Sequence, residues 1–142
     1  MFCAEGLSRL LNKAKEDKRI HGVAVARNGP EVTHLFFADD GFLFCHAKLN
    51  ECQEILRILQ LYEAASGQKI NMEKSGIFFS SSIREETRVL VRRMLNVHAD
   101  LRKKNYLGLP IIIGRDNQAV FRLIKEESNR ESIAGGVNCY LR

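Results

Sequence analysis

Apolar residues recur along this chain at two spacings, one helical and one strand-like. Leu7, Leu10, Leu11 and Ala14 fall at i, i+3, i+4 and i+7, which predicts a helix from about Ala4 to Arg19. Lys13, Lys15, Lys18 and Arg19 crowd its C-terminal half, where cations complement the helix dipole, and they read as a solvated face. Gly22 to Ala26 predicts a short strand, Asn28-Gly29-Pro30 a turn, and Glu31 to Phe37 the returning strand. Cys52, Ile55, Leu56, Leu59 and Tyr62 form the stripe of a second helix from about Glu51 to Ser66. Asn50 with Gln53 suggests a capping box at its start, and Gly67 is placed to end it. Ile77-Phe78-Phe79 predicts a strand. A third helix is expected from Ser82, with Glu85 completing a second capping box and Val91, Met94 and Leu95 on its apolar side. Arg84, Arg88, Arg92 and Arg93 lie on its other side, able to track a phosphate backbone and equally normal on a solvated helix. Ile111-Ile112-Ile113 predicts a strand, and Gly114-Arg115-Asp116 opens a last helix with Val120, Phe121 and Ile124 on one face. Beyond Glu127 the pattern dissolves, and Ala134-Gly135-Gly136 breaks what remains, so no element is assigned there.

The stretch His34 to Phe44 sets two carboxylates, Asp39 and Asp40, between two apolar runs. Such runs read as buried strands, and Asp39-Asp40-Gly41 then reads as the tight turn between them, with Gly41 supplying positive φ. Adjacent carboxylates repel, and a divalent cation relieves the repulsion; hard oxygen ligands suit Mg²⁺ or Mn²⁺. A plain solvated turn accounts for the same residues, and on this stretch alone it is the favoured reading.

Composition adds little. The chain has 142 residues, enough for one domain with a core, and is 45% hydrophobic and 27% charged. A net charge of +5, from 22 Lys+Arg against 17 Asp+Glu, permits a nucleic-acid partner without demonstrating one. Cys3, Cys45, Cys52 and Cys139 form no C-x-x-C pair and have no His at zinc-site spacing, so buried free thiols are expected. No apolar run reaches the roughly 18–20 residues that span a bilayer, and the N-terminus lacks a signal-peptide layout. The expectation is an intracellular protein, nucleus or cytoplasm undetermined, with no membrane partner.

Several blocks together resemble one family. Phe37-Ala38-Asp39-Asp40 resembles the F-A-D-D form of the palm-domain metal motif in reverse transcriptases of non-LTR (LINE-type) retrotransposons, and its flanks His34-Leu35-Phe36 and Leu43-Phe44 fit as well. Cys3-Ala4-Glu5-Gly6-Leu7-Ser8 resembles the helix that follows the family's nucleotide-pocket motif. Gly22-Val23 with Pro30 and His34 is similar to the strand pair leading into F-A-D-D. Ser66-Gly67-Gln68-Lys69-Ile70-Asn71 with Lys74-Ser75 resembles S-G-x-x-I-N-x-x-K-S, and Tyr106-Leu107-Gly108-Leu109-Pro110 resembles the Y-L-G-x-P element of the primer-grip region. The likeness runs over about residues 3 to 127, in the family's order, and is nearest to the plant type.

The resemblance implies an α+β fold: a partial palm at 1–114, with an antiparallel sheet and the F-A-D-D hairpin packed by helices, then the start of the thumb connection with a degenerate tail at 115–142. It implies RNA-directed DNA synthesis on an RNA template with a DNA primer and deoxynucleotides, using Mg²⁺ or Mn²⁺. Asp39 and Asp40 would be metal ligands, and Lys74 would lie near the leaving pyrophosphate as a general acid. Tyr106 and Gly108 would position the primer end, with Arg102, Lys103 and Lys104 on nucleic acid. A surface Lys and a core Tyr are the structural alternatives for Lys74 and Tyr106. In the family another catalytic aspartate lies upstream of the block that Cys3 begins, outside these 142 residues, and Asp17, Asp100 and Asp116 do not replace it. Gly41 stands where Ser is usual, and there is no Trp where the family has one after the last helix. The expectation is therefore a polymerase fragment inactive by itself. The alternatives are a basic nucleic-acid-binding remnant using Arg92, Arg93, Arg102, Lys103 and Lys104, or the product of a decayed element.

Overall fold

A computed structural model describes residues 4–24, 28–37 and 40–99, and the backbone of 105–106, 109–110 and 136–141. The fold is α+β. Helix α1 (Ala4–Glu16) leads to a two-stranded ribbon, β1 (Val23–Ala24) with β2 (Glu31–Val32). Strands β3 (His34–Phe37) and β4 (Asp40–His46) form a hairpin, followed by α2 (Leu49–Ser66), β5 (Gly76–Phe79) and α3 (Glu85–Leu95). A short ribbon, β6 (Asn105–Tyr106) with β7 (Leu109–Pro110), and a final strand β8 (Gly136–Leu141) complete the order.

The main sheet has four strands in the order β3-β4-β8-β5, every neighbouring pair antiparallel. β4 and β5 are therefore parallel to each other, joined through α2, with one strand between them. That strand is β8, from the region where the sequence pattern dissolves. Val137, Cys139 and Leu141 alternate with Asn138 and Tyr140, a period-two signal too short to stand out without its partners. Among the described residues the expected strand at 111–113 and the last helix cannot be located, since both lie outside them.

One core holds helices and sheet together. Leu7, Leu11 and Ala14 of α1, Ile55, Ile58, Leu59 and Tyr62 of α2, Val91 and Leu95 of α3, and Leu43, Cys45, Ile77 and Phe79 of the sheet are all buried in it. α2 packs against α1, α3 and β4. In β4 every residue from Gly41 to Cys45 is buried, as befits a strand with neighbours on both edges.

Several boundaries moved. The stretch expected as one strand from Glu31 to Phe37 is broken at Thr33 into β2 and β3. α2 starts at Leu49 after Lys48, which makes no side-chain cap, so Asn50 lies inside the first turn. α3 starts at Glu85 rather than near Ser82, because Ser80 to Ile83 close a turn of their own, with the Ile83 amide donating to the Ser80 carbonyl at 3.2 Å. The α2 stripe uses Ile58 where Leu56 was expected, and Leu56 packs at its margin. The C-terminal stop held: Gly67 is left-handed at φ 71° and its amide donates to the Glu63 carbonyl.

Candidate functional site

The acidic hairpin differs from its expected form in one informative way. Phe37 pairs with Asp40 and Phe36 with Gly41, so Asp40 and Gly41 belong to β4 and not to the turn. The connection is the pair between them, Ala38 and Asp39, which lies outside the described residues. Gly41 is accordingly not among the residues at positive φ. Its lack of a side chain has another cause: a Cβ built there would meet the Phe36 ring at 2.7 Å. Asp40, half-buried, opens β4 at the end of the sheet.

Register brings a second expected residue to the same end. Tyr140 of β8 pairs with Phe42 on one side and with Gly76 on the other, so β4 and β5 run in step. Asp40 and Lys74 each precede that shared rung by two positions. They leave the sheet at one end, their strands separated by β8 and hence by about 10 Å. Lys74 is exposed, in the turn before β5, and its amide donates to Asn71 Oδ1 at 3.0 Å.

The segment Ser66 to Ser75 explains its own composition. Gly67 caps α2, Gln68 Oε1 accepts the Tyr62 hydroxyl at 2.7 Å, and Ile70 is buried. The Ile70 amide donates to Glu63 Oε1 at 2.8 Å, and buried Ser75 donates from both its amide and its hydroxyl to the Asn71 carbonyl. These contacts build a rigid turn that delivers Lys74 to the sheet end.

The two-ion centre implied by the resemblance needs more carboxylates than the described strands beside Asp40 carry. Two such cations lie about 3.5–4 Å apart and need carboxylates from more than one strand. The strands flanking β4 carry none: β3 is His-Leu-Phe-Phe and β8 is Gly-Val-Asn-Cys-Tyr-Leu, with Leu141 opposite Gly41. Among the described residues the hairpin does not assemble a two-ion site.

The remaining expected residues are split between described and undescribed segments. Tyr106 pairs with Leu109 and Asn105 with Pro110, a hairpin ladder across Leu107 and Gly108. Gly108, Arg102, Lys103 and Lys104 lie outside the described residues. On α3 the arginines divide. Arg88 and Arg92 lie over the Phe79 ring at 6.0 and 5.3 Å from its centroid, and Arg88 donates to the Ser80 carbonyl at 3.1 Å. Arg84, the residue before α3, and Arg93 face solvent. The lysines of α1 are also partly committed: Lys15 donates to the Glu31 carbonyl at 2.6 Å, and Lys13 pairs with Asp17 at 3.1 Å. Arg19 joins Asp17 to Glu54, which in turn holds Arg57 through two hydrogen bonds. These arginines keep the Glu54 carboxyl below the ordinary carboxylate range, Arg57 first.

A cluster that sequence reasoning missed lies at the other end of β4. Glu51, the third residue of α2, is only 2% exposed. Its Oε2 accepts the amides of His21 and His46 at 3.0 and 3.1 Å, and its Oε1 lies 2.9 Å from His21 Nδ1 and 3.4 Å from His46 Nδ1. The two imidazoles are stacked, centroids 5.1 Å apart and planes within 4°. Burial holds His46 below its ordinary pKa, against the pull of Glu51. Only a carboxylate in the first turn following a histidine was visible locally; His21 comes from the α1–β1 connection and no spacing rule links it. A third histidine, His34, is fixed between hydroxyls, with Ser8 Oγ 2.7 Å from Nε2 and Thr33 Oγ1 2.9 Å from Nδ1.

No family model matches the chain, and no solved structure matches it. An uncharacterized mitochondrial protein of Arabidopsis thaliana is 45% identical over 40 residues, a stretch covering 28% of this chain and 33% of that protein. The match thus spans about one-third of the relative's length. Among the described residues no helix is long and apolar enough to cross a membrane.

Proposed function

We propose that these residues are the C-terminal part of a reverse-transcriptase palm from a LINE-type retrotransposon, an RNA-directed DNA polymerase, and that the 142 residues by themselves do not catalyse. One observation carries the reading: the rung shared by Phe42, Tyr140 and Gly76 sets Asp40 and Lys74 at one end of a sheet whose two parallel strands are joined through a helix. A carboxylate and an ammonium at one end of a sheet suit phosphoryl transfer, where charge on the triphosphate must be neutralised and the departing pyrophosphate needs a proton. The β6–β7 hairpin adds a second element in the expected order, with Tyr106 in its ladder. Mg²⁺ belongs to the reading through Asp39 and Asp40, while the strands beside β4, β3 and β8, carry no Asp or Glu.

The experiment joins this chain to the upstream half of a LINE reverse transcriptase that carries the other aspartate strand. Extension of a DNA primer on an RNA template by the joined protein is the expected result. Asp40→Asn should abolish it, and Lys74→Ala should lower kcat by about 10²–10⁴-fold, the usual worth of a general acid. A joined, folded protein in which Asp40→Asn leaves extension unchanged would overturn the reading.

A further inference from the structure

The geometry points to a zinc-class metal site formed by His21, His46 and Glu51, independent of the hairpin and about 20 Å from Asp40 along β4. Among the described residues this is the one group of three or more metal-ligating side chains, and its ligand atoms all lie within 4.8 Å of one another. Zn²⁺ takes His nitrogens and carboxylate oxygens at about 2.0–2.2 Å, which sets tetrahedral ligands about 3.4 Å apart. Of the observed separations from Glu51 Oε1, the 3.4 Å to His46 Nδ1 matches that value and the 2.9 Å to His21 Nδ1 is shorter, so His21 must move outward to admit an ion.

A second observation favours a ligand over a purely structural cluster. His46 Nδ1 is buried and, among the described residues, has no hydrogen-bond partner despite lying 3.4 Å from the carboxylate. Glu51 Oε2 is occupied by two backbone amides, which fixes the carboxylate, and Oε1 lies between the two rings in a 2.9 Å hydrogen bond with His21 Nδ1 that a bound ion would replace. A bound carboxylate oriented by backbone donors is the usual support of a metal ligand. The imidazoles are now parallel, and a cation in the plane of both requires them to tilt toward each other. That torsion is soft, and the His21 side chain, 39% exposed, has room to turn. Two histidines and one carboxylate leave a coordination position for water or another donor. Borderline metals fit this donor set better than Mg²⁺, which prefers oxygens alone. The site would clip the α1–β1 connection onto the junction of β4 and α2.

The test uses the whole chain, reduced and metal-free. Zn²⁺ titration by calorimetry should show one site, and Zn²⁺ should raise the melting temperature. His21→Ala and His46→Ala should each weaken binding by roughly 100-fold or more, since even residues that merely orient a ligand are worth 10–100-fold. Co²⁺ should give a spectrum of nitrogen and oxygen ligands without a thiolate charge-transfer band, which separates this site from Cys45 and Cys52. If His46→Ala does not fold, His21→Ala decides alone. No binding by the unsubstituted chain, unchanged binding in His21→Ala, or a thiolate band would each overturn the proposal.

Discussion

At the scale of single residues, two positions carry sharp consequences. Gly41 accommodates the Phe36 ring, so Gly41→Val forces an atom to within 2.7 Å of it. Overpacking of this kind costs about 1–3 kcal/mol, and urea unfolding of Gly41→Val should show a loss in that range. His34 supplies a pH dependence. Burial first, and then the charge of Lys15, hold its imidazole below the ordinary value of 6.5. The unfolded chain therefore binds that proton at a higher pH than the folded protein does. Stability is complete above pH 6.5, declines as pH falls from there to the depressed folded value, and levels off below it. Thermal melts between pH 7.5 and 5 should show the decline, and His34→Gln, which keeps hydrogen-bonding capacity toward Ser8 and Thr33, should flatten part of it. An unchanged slope in His34→Gln would assign the titration elsewhere.

At the scale of elements, β8 is the strand on which the sheet depends. It pairs with β4 through six rungs, Gly41↔Leu141 to His46↔Gly136, and with β5 through four, Gly76↔Tyr140 to Phe79↔Val137. Deleting residues 134–142 would expose one edge each of β4 and β5, both rich in apolar residues, and exposed edges of that kind template aggregation. Size-exclusion chromatography of the truncated chain should show oligomers, and its unfolding should lose cooperativity. A monomeric truncated chain with an unshifted melt would show that β8 is dispensable.

What the sequence disclosed follows the same division between local and non-local. α1, α2 and the Gly67 stop were legible because their causes lie within a few residues: apolar spacing and a left-handed glycine. The starts of α2 and α3 were not, because the predicted caps at Asn50 and Ser82 compete with tertiary demands. Glu51 is drawn to the amides of His21 and His46, and Ser80 to Ile83 close a turn. β8 was invisible because a central strand is defined by partners far away in sequence. Asp40 and Lys74 were singled out from motif resemblance, but their shared sheet end follows from a register no local pattern encodes. His21, His46 and Glu51 were missed for the same reason: three elements contribute one side chain each.

At the scale of the whole molecule, a net charge of +5 and exposed Arg84 and Arg93 suit a nucleic-acid partner held through phosphates. Counterion release makes such binding weaken steeply with salt, with a slope of about −0.9 per phosphate contact on duplex DNA. Arg93→Ala should shallow that slope by about one contact, whereas Arg92→Ala should act mainly on stability, because Arg92 covers Phe79. Fluorescence anisotropy with a labelled primer–template at several salt concentrations distinguishes the two, and a flat salt dependence would argue against a nucleic-acid role.

The central claim of the proposed function is that Asp40 belongs to a polymerase centre that these 142 residues do not complete. The most direct measurement is primer extension on an RNA template by the purified 142-residue chain, with Mg²⁺ and deoxynucleotides, beside its Asp40→Asn variant. The account predicts no extension by either. Template-dependent extension that disappears in Asp40→Asn would contradict it, because this chain would then hold a complete site.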